Sequence, residues 1–85
     1  MKIFYHSRFF KKYQKLPIKI KLSIEDKEKV FRRNPFDPLL RTHRLHGRLK
    51  GLWAFSLTAK YRIIFDFLGG DKVRFITIGT HDIYE

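Results

Sequence analysis

The chain has 85 residues, 44% hydrophobic and 16% aromatic, with a formal net charge of +11 and no cysteine. That length holds one domain, 1–85, with a thin core, and the apolar content is that of a folded protein rather than a disordered tail. Disulfide staples and thiolate metal sites are excluded, no apolar run is long enough to span a membrane, and the N-terminus is too short and polar for a signal peptide, so a cytoplasmic protein is expected.

Ile3 to Tyr5 read as a short first strand. Ser7 is the expected N-cap of a first helix, on which Phe9, Tyr13 and Leu16 recur at i, i+4, i+7 as one apolar stripe. Pro17 closes that helix and can open the next, because proline is tolerated in a first turn. The second helix runs from about Ile18 to Arg33. Ile20, Ile24 and Phe31 continue the stripe, while Ile18 and Leu22 fall on the opposite side, a face available to a partner. Asn34-Pro35 stops it, and Phe36-Asp37-Pro38 is a turn-rich connector. The run from Arg41 to Lys50 is strongly basic. Residues 1–50 carry fifteen Lys and Arg against four Asp and Glu, whereas residues 51–85 carry four of each. A basic surface of that kind suits a polyanion, and solubility alone rarely needs so large a field of one sign. Arg41, Arg44, His46, Arg48 and Lys50 are therefore expected to bind RNA phosphates, together with Arg74 further on.

From Leu52 the period changes to two. Trp53, Phe55 and Leu57 alternate with Ala54, Ser56 and Thr58. Tyr61, Ile63, Phe65 and Phe67 alternate with Arg62, Ile64, Asp66 and Leu68, apolar enough on both sides for a central strand. Gly69-Gly70-Asp71 signals a hairpin, after which Val73, Phe75 and Thr77 alternate with Arg74, Ile76 and Ile78. The expected fold is α+β: an N-terminal strand, a two-helix hairpin covering one face, and a small antiparallel sheet of three to four strands. Its other face carries Arg62, Ser56 and Thr58 and is expected to stay open.

Arg62 interrupts an apolar strand. A guanidinium there must be paired, with Asp66 on the same face as the internal option, or must line a cleft, where its planar fork suits phosphate. His81 follows Gly79-Thr80 at the end of the last strand, with Asp82 and Tyr84 beside it, and is either a solvated surface histidine or a proton-transfer group. His43 and His46 stand at i, i+3 without a third ligand, so no metal is expected. His43 and His81 form a candidate acid–base pair across a phosphodiester. RNA cleavage through the 2′-OH needs a base, an acid and cationic support for the phosphorane, and no metal.

Asn34-Pro35, the run Leu45-His46-Gly47-Arg48-Leu49-Lys50-Gly51-Leu52-Trp53-Ala54-Phe55, the strand Tyr61-Arg62-Ile63-Ile64-Phe65 and the ending Gly79-Thr80-His81-Asp82-Ile83-Tyr84 together resemble the RelE/ParE superfamily of bacterial toxins from toxin–antitoxin pairs. The resemblance spans essentially the whole chain, and the Gly79-Thr80-His81 ending with a histidine in Thr42-His43-Arg44-Leu45-His46-Gly47 looks closest to the YafQ-like branch. It implies a RelE-like fold and a ribosome-dependent, cofactor-free endoribonuclease that cuts mRNA. It also implies an acidic, partly disordered antitoxin that covers the toxin in a hetero-oligomer. By that resemblance Arg62 matches the phosphate-binding arginine, His81 a catalytic histidine or arginine, Tyr84 a terminal aromatic, and His43 a histidine of the YafQ-like branch. The chain departs from the pattern at Ser56 and Lys60, where YafQ-like toxins have a second histidine and an acidic residue. It departs again at Trp53 and Phe55, where RelE has paired lysines. The superfamily also includes ParE-like inhibitors of DNA gyrase that cut nothing; that activity, and a basic RNA-binding module without catalysis, are the alternatives.

Overall fold

The period-two stretches form one five-stranded sheet and the two helical stretches cover one of its faces, in a computed structural model that describes residues 1–84. In chain order the elements are β1 (Lys2–Tyr5), α1 (Ser7–Gln14), α2 (Ile18–Arg33), β2 (His43–Arg44), β3 (Trp53–Ser56), β4 (Arg62–Gly69) and β5 (Lys72–Gly79). The sheet order is β1-β5-β4-β3-β2. β1 lies parallel to β5, and every other pairing is antiparallel. The fold is α+β as expected, but the sheet is mixed and has five strands rather than three to four. The extra strand is β2, two residues inside the basic run. It pairs His43 with Ala54 and Arg44 with Trp53, a segment too short and too polar to show a strand period.

The helix-covered face holds the main core. Phe31 on α2 is fully buried and meets Phe55, Phe65 and Phe75 at ring-centroid distances of 5.0, 5.0 and 5.3 Å. Phe9, Ile24, Leu40, Ile63, Val73 and Ile78 join this cluster, with Tyr13, Leu16 and Ile20 packed against it. The stripe read across both helices is thus the buried one, while Ile18 and Leu22 are exposed. The first helix is capped by the residue before the one expected. His6 is the N-cap, its ring Nδ1 accepting from the Arg8 amide at 3.0 Å, and Ser7 is already helical. An imidazole acceptor satisfies an orphan N–H in the same way as a serine hydroxyl.

β4 is the central strand, and Ile63, Ile64 and Phe65 are buried in succession. A bulge shifts its register with β5, because Ile64 pairs with Thr77 while Phe65 pairs with Phe75. The extra residue, Ile76, reverses the alternation beyond it. Ile78 therefore joins Val73 and Phe75 in the main core, and Thr77 turns to the opposite face. That opposite face is not open as expected. Leu45 and Leu49 from the basic segment and Leu52 just after it, with Ile83 and Tyr84 from the C-terminal turn, pack over Ala54, Ile64 and Ile76. The basic run folds back because its leucines have an apolar strip to cover.

Candidate active site

Arg62 opens β4, and its cross-strand neighbours are Ser56 on β3 and Gly79 on β5. Directly paired residues project to the same face, so two small positions flank the guanidinium and leave it room. Nη1 donates to the carbonyl oxygens of Thr58 and Ala59 at 3.3 Å each and of Tyr61 at 3.4 Å. The internal carboxylate partner considered for it, Asp66, is held instead by Arg74, with Nε–Oδ1 at 3.2 Å and Nη2–Oδ2 at 2.8 Å. Among the described residues no carboxylate lies within ion-pair distance of Arg62. Its Nε and Nη2 donors make no hydrogen bond there, which leaves a charged fork for an oxyanion.

A 3-10 turn over His81–Tyr84 brings up the next two side chains. It folds back tightly on Gly79, where a Cβ would lie 2.3 Å from Ile83 Cγ2. The Thr80 hydroxyl donates to the Asp82 carboxylate at 2.5 Å and the Ile83 amide to the Thr80 carbonyl at 3.1 Å. His81 is exposed and lies edge-on to Tyr84, with centroids 5.1 Å apart at 85°. The Tyr84 hydroxyl is buried and faces Arg62. Burial pushes its pKa up, and the guanidinium partly offsets that. No hydrogen bond of regular geometry joins the two, so Tyr84 Oη has no partner among the described residues. The phenol is thus a neutral donor at ordinary pH.

His43 lies on the same face but further off. It sits opposite Ala54, which pairs with Ile64, so it is two strands across from Arg62 and two residues along. Strand spacing and rise put the two Cα atoms roughly 12 Å apart. Its Nδ1 donates to the Arg41 carbonyl at 3.0 Å, which leaves Nε2 as the acceptor in the neutral ring. The structure therefore gathers Arg62, His81 and Tyr84 and leaves His43 at the margin.

The basic residues are dispersed. Arg44 projects to the other face, its guanidinium 5.0 Å from the Trp53 ring centroid. His46, Arg48 and Lys50 are exposed on the loop before β3, and Arg74 has its charge balanced by Asp66. Arg41 lines a groove of about 310 Å³ with Arg62, Ser56 and Thr58, and the same groove takes in Lys27 from α2, which the sequence reading passed over. A signal was available: Lys27 falls between Ile24 and Phe31 on the buried stripe of α2. Among the described residues no three His, Asp or Glu side chains converge as a metal site.

No family model matches the sequence, and no curated protein matches it either. Solved structures do match. A YoeB/ParE toxin from Agrobacterium tumefaciens superposes with a TM-score of 0.80 at 24% identity, over 95% of this chain and 99% of the other. The chain has the fold of the RelE/ParE toxins. YafQ from E. coli strain BL21(DE3) gives a TM-score of 0.75 at 22% identity, over 95% of this chain and 93% of its own. A YoeB–YefM complex from Staphylococcus aureus gives 0.76 at 16%, over 95% and 97%. The likeness runs nearly end to end in each case, so this RelE/ParE-like domain carries no large insertion relative to them.

Proposed function

We propose that this RelE/ParE-like domain is the toxin of a toxin–antitoxin pair and a ribosome-dependent, metal-independent endoribonuclease that cleaves mRNA by 2′-OH attack. The observation that carries the reading is Arg62, a guanidinium with no carboxylate partner among the described residues, between two small cross-strand neighbours, with the Tyr84 hydroxyl facing it and His81 against the Tyr84 ring. In the proposed reaction O2′ loses its proton to a base and bonds to phosphorus. The P–O5′ bond then breaks, and the leaving oxygen takes a proton from an acid. The products are a 2′,3′-cyclic phosphate and a 5′-hydroxyl. Arg62 neutralises the phosphorane oxygens. His81 exchanges a proton with one of the two reacting ribose oxygens, and His43 Nε2 is the second such group. Tyr84 positions the nucleotide and donates its hydroxyl proton in a hydrogen bond. The solved relatives include a complex named as YoeB with YefM and described as a toxin–antitoxin heterotetramer, which supports an antitoxin partner here. With an excess of eleven positive charges the partner segment should be acidic and fold as it binds.

The test maps mRNA 5′ ends and plasmid topology together in cells making the wild type or the Arg62→Ala, His81→Ala and Tyr84→Ala variants. New 5′-hydroxyl ends with the wild type, lost in the variants, are expected. With purified ribosomes the cleavage should persist in EDTA and leave cyclic phosphate. Intact mRNA with altered supercoiling would overturn the nuclease in favour of gyrase inhibition.

A further inference from the structure

We infer that the groove between α2, the connector before β2 and the β3–β4 turn is a phosphate subsite, which receives the backbone of the RNA strand next to the phosphate held by Arg62. The inference rests on the nuclease reading of Arg62 and extends it to residues that nothing in that reading uses.

The groove measures about 310 Å³ and is lined by Lys27, Leu39, Arg41, Ser56, Leu57, Thr58, Ala59 and Arg62. Three cations reach it from three separate elements, and no carboxylate is among the lining residues. Among the described residues none of the three cations is in an ion pair. Three unpaired like charges around one concavity repel each other unless an anion enters. Lys27 is half-buried within the apolar stripe of α2, where an aliphatic residue would pack better. The hydroxyls add directionality. Thr58 Oγ1 accepts the amides of Lys60 and Tyr61, both at 3.2 Å, so its own proton is left to donate. Arg62 belongs to both places: Nη1 donates to the Thr58 and Ala59 carbonyls at the rim of the groove, and the Tyr84 hydroxyl that faces Arg62 lies outside the groove's lining. A strand whose scissile phosphate sits on Arg62 therefore meets Lys27 and Arg41 at an adjoining phosphate. That continuity favours RNA over an acidic peptide, for which the groove supplies little apolar wall: Leu39, Leu57 and Ala59.

The experiment measures binding of a fluorescent 2′-O-methyl RNA hexamer, which cannot be cut by 2′-OH attack, by anisotropy across a series of KCl concentrations. Lys27→Gln and Arg41→Gln are each expected to weaken binding and to reduce the slope of log K against log salt by about 0.7, the value for one lost single-strand phosphate contact. Lys19→Gln, two turns earlier on α2, should change the slope much less. Unchanged slopes in both groove variants, or an equal drop with Lys19→Gln, would overturn the subsite. So would equal losses for a hexaglutamate peptide, which would mark the groove as a docking place for an acidic protein segment. Because the hexamer is inert, altered slopes without any mRNA cleavage in cells would overturn the nuclease reading and keep the subsite.

Discussion

Among the described residues Arg62 rests on three backbone carbonyls rather than on a carboxylate, and that sets what its replacement does. No buried ion pair breaks in Arg62→Ala, so the thermal midpoint should move little while activity falls. Loss of a contact to developing charge is about 2–4 kcal/mol, or about 30- to 1,000-fold in kcat/KM. Arg62→Lys should restore charge without restoring the planar fork, and so recover only part of the rate. Tyr84 makes a second separation. Its hydroxyl is buried without a partner among the described residues, so Tyr84→Phe removes an unsatisfied group and should leave stability equal or higher. Cleavage should still fall if the hydroxyl binds the nucleotide. Denaturant midpoints measured beside initial rates check both expectations. Arg62 was legible in the sequence because a cation in an apolar strand demands a reason. Its actual surroundings were not, since neither the capture of Asp66 by Arg74 nor the carbonyls of the β3–β4 turn leave a periodic trace.

At the scale of elements, α2 ties the layers together through one ring. Phe31→Ala should cost about 3–5 kcal/mol, as truncated core aromatics do, and a small domain has only about 5–15 kcal/mol to lose. A lowered urea midpoint with an unchanged slope would register it. A second tie joins β1 to α2. Tyr5 donates to Glu28, and the phenol pKa is pushed up to about 12 by burial first and then by Glu28, against the opposing pull of Arg32. The folded-state value lies above the unfolded one, so this contribution is complete below pH 10.0 and is lost as pH rises toward about 12. Melting curves of the wild type and Tyr5→Phe should therefore converge across that alkaline window and differ below it. The bounds of α2 were readable because its stripe is long and Asn34-Pro35 ends it. β2 was not, because two residues carry no period, and the bulge at Ile76 was hidden because Phe75 and Ile76 are adjacent apolar residues, so Phe75-Ile76-Thr77-Ile78 reads equally well in either register.

For the whole molecule, charge and topology are separate sources of order. The sheet forms the apolar frame, and nearly all the surplus charge lies on segments laid over it. Such a field accelerates encounter with a polyanion and weakens with salt. An acidic partner that neutralises it should raise the melting temperature with the logarithm of its concentration above the dissociation constant, a shift that differential scanning detects.

The parallel pairing of Lys2 with Lys72 and Tyr5 with Phe75 also governs when the domain can exist during synthesis. A chain emerging from its ribosome displays β1 and both helices first, with no neighbouring strand for β1 to join. β5 both completes the sheet beside β1 and supplies Gly79, opposite Arg62. Closing so long a loop is slow relative to local folding. A nascent chain that has not yet exposed β5 therefore lacks the Gly79 flank of Arg62 and the turn that carries His81 and Tyr84. The topology thus leaves the surroundings of Arg62 unfinished until the last strand has been made.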